Sequence, residues 1–244
     1  AIDRYQVMFS KKDLVFGKGM YTLKRALISE ANPDKLRQIL PDSISSVLAT
    51  VFPIYQKYFW PIHQKELQQA FTTTIPLLRK WGPMLMPEIA QLLRADYAHK
   101  QIHVYLSVYA NWSGAYTSSD ADSVWIIYKP HDIRHHNYSG LEILLHEASH
   151  SMTDSLFSLI AEKEKKYNKK IFSQTWHAVL FYIVGRKLQL SLAQEGILYD
   201  LYMNQEKIFQ GAMHLYKSCL DPLIEGKTTL DEAIDKLVAS SKQI

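Results

Sequence analysis

Two histidines four residues apart, His146 and His150, lie in the run Ile143-Leu144-Leu145-His146-Glu147-Ala148-Ser149-His150-Ser151-Met152. Four helical residues turn about 400° and rise about 6 Å, so both imidazoles leave one face, one turn apart. Nitrogens so placed can hold a single metal ion at about 2.0–2.1 Å. Glu147 lies about 100° further round the helix, where its carboxylate reaches a metal-bound water rather than the metal. This is the H-E-x-x-H pattern, in which the glutamate acts as general base. The rest of the run is uncharged. A buried site needs that, because a stray charge beside a metal is costly to desolvate.

The elements that must position these groups can be read from periodicity and punctuation. The motif helix is expected from Gly140 to about Ala161, opened by a capping box of Ser139 and Glu142. Ahead of it, Ile102 to Tyr109 and Ser123 to Tyr128 are rich in β-branched and aromatic residues and read as strands. Residues 111–122, rich in Ser, Gly, Asn and Asp, read as the turn between them. Residues 10–100 are mostly helical by pattern: Tyr21 to Glu30, Pro33 to Ile39, Ile44 to Tyr58, and Thr72 to Ala95 with a break near Trp81-Gly82-Pro83. After the motif, helices are expected at Gln174 to Leu190, Ala193 to Leu220, and Leu230 to Ser240. The last follows a second capping box, Thr229 with Glu232. Helices, a few strands, then helices argue for an α+β class that is predominantly helical. No linker marks a boundary, so one domain is expected over 1–244. Its parts are a helical N-terminal lobe (1–71), the strands and motif helix (72–161) and a helical C-terminal part (162–244).

Composition limits the alternatives. Apolar residues make up 47% of the 244 and charged residues 21%, which is globular and excludes disorder, collagen and coiled coil. The net charge of +4 comes from scattered basic residues, which disfavours a nucleic-acid binder. The single cysteine, Cys219, forms no internal disulfide and supplies no Cys-based zinc site, so a metal must use His and carboxylates. Ten histidines are present, five of them between His131 and His150. No apolar run reaches the roughly 18 residues of a membrane span. The chain opens at Ala1, an end that removal of a secretory leader leaves. An exported protein, periplasmic or secreted, is therefore expected, with a cytoplasmic one as the alternative.

The 146–150 motif, with the order helix, strand, strand, motif helix, second helix over about residues 72–215, resembles the gluzincin-like zincin metallopeptidases. The resemblance implies a small mixed sheet whose edge strand, next to the motif helix, binds extended peptide. Ser123, Val124 and Trp125 would take that role. A catalytic zinc takes three protein ligands and leaves one position open. The spacings that related enzymes use for the third ligand fall here on Leu156 and Lys170, which cannot serve. His177 is the best candidate, because an imidazole early in the apolar stretch Thr175 to Tyr182 needs a polar partner. Glu162 and Glu164 are alternatives, in a charge run (162–170) that otherwise reads as a solvated helix end. Asp154, four residues after His150, suits either a carboxylate that orients that imidazole or an ordinary exposed position. The resemblance also implies an oxyanion donor from a later helix. Tyr199 is preferred over Tyr202 and His214, with core packing as the alternative. His135 and His136 either line the cleft or are exposed, and Trp112 and Trp125 are either core residues or subsite walls.

The reading that unites these features is a metallopeptidase with one Zn²⁺ held by His146, His150 and His177. Glu147 is its base and a peptide or protein its substrate. Two rivals compete with it. One is a zincin scaffold that binds metal or partners without catalysis. The other is a helical membrane-surface module that needs no metal.

Overall fold

A computed structural model of the chain describes residues 2–9, 11–12, 17–30, 33–97, 101–110, 113–119 and 123–242. Residues 1–68 and 69–244 form two compact units. The first holds α1 (Ile2–Phe9), α2 (Lys18–Ser29), α3 (Pro33–Ile39) and α4 (Asp42–Ile54). A π-helical turn at Tyr55–Phe59 leads into α5 (Trp60–Thr72), which crosses the division. Pro61 explains that turn. Its ring cannot pack against the carbonyl of Lys57 in a regular α-helix, so the turn widens.

The second unit carries α6 (Thr74–Leu92), three strands and the remaining helices. The break expected near Trp81-Gly82-Pro83 does not occur. α6 runs through Pro83 and Pro87, burying Trp81, Leu85 and Ile89 along one face. That burial offsets the cost of about 3 kcal/mol for an internal proline.

The sheet corrects two further expectations. β1 (Gln101–Leu106), β2 (Ala115–Ser119) and β3 (Ser123–Tyr128) lie in the order β1-β3-β2. β2 falls inside the stretch expected to be a turn. Ala115-Tyr116-Thr117 carries enough β-forming character to pair antiparallel with β3, entered through Gly114 at φ +81°. β3 pairs with β1 on its other side, in parallel. Ser123, Val124 and Trp125 therefore sit on the central strand, not on an edge. Along β3, Val124, Ile126 and Tyr128 are buried.

α7 (Tyr138–Ser149) packs on β2 and β3 and is buried from Ser139 to Ser149. Gly140 permits this approach, since a Cβ there would lie 2.5 Å from the Tyr128 hydroxyl. The capping box expected at its start is absent. Asn137, at φ 48°, precedes the helix, Ser139 donates to Gln205, and Glu142 turns inward. Nor is α7 continuous to Ala161. It ends at Ser149, passes through a 3-10 turn at His150–Met152 and restarts as α8 (Asp154–Lys166).

α9 (Thr175–Gln194) lies against α7. Gly185 abuts Glu142, Phe181 stacks on His146, and His177 meets His150. Steps of four along α7 thus meet steps of four backwards along α9, an antiparallel ladder of matched ridges. The helix expected from Ala193 to Leu220 is interrupted. Gly196, at φ +75°, ends α9 with Gly196 N–H donating to Ala193 O and Ile197 N–H to Leu192 O. This pair of bonds is a Schellman cap. The chain continues through α10 (Tyr202–Gln205) and a 3-10 turn into α11 (Met213–Ile224). α12 (Leu230–Ser240) starts at the expected capping box, in which Glu232 accepts from Thr229 N–H at 2.8 Å and Thr229 Oγ1 accepts from Glu232 N–H at 3.3 Å. The protein is mostly helical with one small mixed sheet, as the α+β expectation requires. Among the described residues no helix is long and apolar enough to cross a membrane.

Candidate metal centre

His146 comes from the last turn of α7, His150 from the 3-10 turn that follows, and His177 from the first turn of α9. Their ring nitrogens converge within 4.8 Å of one another. His146 Nε2 is 2.9 Å from His177 Nε2 and 3.1 Å from His150 Nε2. A tetrahedral ion about 2.0–2.1 Å from each nitrogen would set them about 3.3–3.4 Å apart. For these two pairs an opening of a few tenths of an ångström suffices. Burial pushes all three imidazoles below the ordinary histidine pKa, His150 to about 3 and His177 to about 4. The neighbouring rings reinforce this for His146 and His150. The histidines therefore stay neutral, the form a metal ligand requires. Three neutral rings cannot satisfy one another. His146 Nε2 has only one lone pair or one proton to share between two neighbours, and its Nδ1 is buried with no hydrogen-bond partner among the described residues. A cation at the centre resolves the conflict at Nε2, so the three converging nitrogens fit a metal ion.

Aromatic rings enclose the cluster. Phe181 stacks on His146 at 3.5 Å between centroids, and Trp176 packs 4.9 Å from His177 and 5.5 Å from His150. Phe209 closes on His177 and Phe181 from a left-handed backbone, φ 55°. A bulky residue pays for that conformation, and such strain gathers at functional sites.

Glu147 is buried beside the imidazoles, its Oε2 4.0 Å from His150 Nε2. Burial raises its carboxyl pKa to about 7, against the opposing pull of a hydrogen bond from Thr117. The Thr117 hydroxyl lies 2.6 Å from Glu147 Oε2 and 2.8 Å from its backbone oxygen.

The other expected site residues lie elsewhere. Asp154 is exposed at the start of α8. The break after Ser149 removes the shared helical face that would have set it over His150, and it serves the N-terminus of its own helix. Tyr199 does not offer its hydroxyl to the cluster. It donates to Glu142 Oε2 at 2.7 Å. Tyr202 gives its backbone N–H to the same oxygen and stacks its ring on Phe181. His214 is exposed on α11. Glu162 pairs with Lys163, and Glu164 accepts from Lys170 and the Ile171 N–H, so neither joins the histidines. Lys163, in the run expected to be solvated, is buried against Asp231 of α12. His135 is buried, stacked on Tyr128, whereas His136 is exposed. Trp125 stacks on His103 across the sheet, and Trp112 lies outside the described residues. Sequence reasoning missed Thr117, Phe181 and Phe209. The only signal for Phe181 was its place four residues after His177.

Comparison with known proteins finds no family model, no curated protein and no solved structure that matches the chain.

Proposed function

We propose that the protein is a zinc-dependent metallopeptidase of zincin-like architecture. The observation that carries this reading is the convergence of three neutral imidazoles with a buried carboxyl beside them. The ligand set is His146, His150 and His177, all nitrogen donors, which suits Zn²⁺. Zinc bound there would supply a water acidified toward neutral pH and an electrophile for the substrate carbonyl. Glu147 takes the proton of the attacking water and returns it to the leaving amine. Phe181, Trp176 and Phe209 keep bulk water from the ligands. The substrate is an extended peptide laid along β2, the edge strand whose Thr117 touches Glu147. Main-chain pairing to a sheet edge holds a peptide regardless of its sequence.

Zinc content and hydrolysis of a mixed peptide library, measured on the same preparations, test this. The wild type should carry one zinc and cleave peptides. Glu147→Gln should keep the zinc and lose about 10²–10⁴-fold in kcat, while His177→Ala should lose the metal. Unchanged turnover in Glu147→Gln would remove the base, and undiminished zinc in His177→Ala would remove the ligand set.

A further inference from the structure

We infer that Thr117 holds Glu147 away from the metal's fourth position, and so determines whether the centre is open for chemistry or closed by protein. The inference rests on the metal centre proposed above. Glu147 Oε2 lies 4.0 Å from His150 Nε2. An ion about 2.0–2.1 Å from that nitrogen would be within reach of the carboxylate after a small side-chain rotation, and a zinc–carboxylate bond has the same length. A glutamate that completed the bond would give a four-ligand site with no place for water.

The restraint against that movement is a single hydroxyl. Thr117 Oγ1 is 2.6 Å from the carboxylate and 2.8 Å from the backbone oxygen of the same residue. The one hydroxyl proton is shared between these two oxygens, so the hydroxyl holds the side chain against the turn of α7 that carries it. The contact survives either protonation state of Glu147, since the hydroxyl can donate to the carboxylate or accept from the carboxylic acid. The support is rigid as well. Thr117 is held in β2 opposite Ile126, and a β-branched side chain has little freedom about χ1. Thr117 is thus a positioning residue that acts through Glu147.

The cobalt-substituted protein provides a readout independent of turnover, because its visible absorption reports coordination number and ligand type. Thr117→Val keeps the side-chain shape and deletes the hydroxyl. Its cobalt spectrum should move to that of a carboxylate-ligated site, and adding Glu147→Gln should restore the open-site spectrum. Zinc affinity in chelator competition should tighten about tenfold, and kcat should fall about 10–100-fold with KM within about twofold. Thr117→Ser, which keeps the hydroxyl, should recover the spectrum and most of the turnover. If Thr117→Val does not fold, Thr117→Ala carries the same comparison. A wild-type cobalt spectrum in the hydroxyl-free variant, or a spectral change that persists without Glu147, would overturn the inference. If the wild type cleaves no peptide but the cobalt shift occurs and needs Glu147, the peptidase reading falls and the role of Thr117 stands.

Discussion

One turn before His146, Glu142 is buried completely. Its Oε2 accepts from the Tyr199 hydroxyl and the Tyr202 N–H, while Oε1 has no hydrogen-bond partner among the described residues. Burial raises its pKa from 4.5 to about 7. Between those values the folded protein binds a proton that the unfolded chain has released. The resulting stability is complete below about pH 4.5 and is lost as pH rises through about 7. Glu142→Gln cannot titrate. In urea unfolding of the metal-free protein, the stability difference should therefore move in the variant's favour by about 3 kcal/mol from pH 4.5 to 8. The buried imidazoles pull the other way, losing stability as pH falls, but they contribute equally to both proteins. Parallel pH curves would show that Glu142 titrates normally. At this scale the sequence was legible where chemistry is local. The spacing of His146, Glu147 and His150 is a helical fact, and His177 stood out as an imidazole among apolar neighbours. Tyr199 was misread because the partner of its hydroxyl lies 57 residues away, and Thr117 because nothing in a Ser- and Gly-rich stretch marks a residue that will meet Glu147.

The ladder between α7 and α9 explains why the third histidine falls where it does. The helices run antiparallel, and the three contacts 142–185, 146–181 and 150–177 share one sum. A residue that meets the turn after α7 must therefore sit two ladder steps before Gly185. Gly185 sets the spacing, since a Cβ there would lie 2.6 Å from Glu142 Oε1. Gly185→Ala should cost about 1–3 kcal/mol through overpacking, seen as a lower Tm. Gly211→Ala, where a Cβ meets nothing within 4 Å, serves as the control. Equal Tm values would mean that the ladder is loose. Element ends were legible where punctuation is local: α3, β3 and α12 fall where pattern and capping place them. The end of α9, expected at Leu190, falls at Gln194, because Gly196 is a C-cap signal that the expected helix from Ala193 to Leu220 runs through. The break at His150–Met152 was not legible, since no proline or glycine marks it. The position of β3 within the sheet was equally hidden, because alternation shows which side of a strand is buried but not how many neighbours it has.

Over the whole chain, every residue assigned to the centre lies in the unit 69–244. Metal binding ties the end of α7 to the start of α9, so it should stabilise that unit. Zinc at one hundred times its Kd adds about 2.7 kcal/mol. For a unit of this size that is a rise in Tm of about 5–10 °C. In calorimetry, the transition that unfolds residues 69–244 should shift by that amount on adding zinc and fall back with a chelator, and the shift should be lost in His177→Ala. No shift in the wild type, or an equal shift in His177→Ala, would show that the ion is not held where the imidazoles converge.

Trp176 has a consequence of a different kind. Its indole lies 4.9 Å from His177 and 5.5 Å from His150. Excited indole gives up its energy to an open-shell ion or a protonated imidazole at such range, and much less readily to a closed-shell ion or a neutral ring. The brightness of this one side chain therefore depends on what the three nitrogens hold. With the other four of the five tryptophans replaced by Phe, the emission of Trp176 should report on the centre without any added dye.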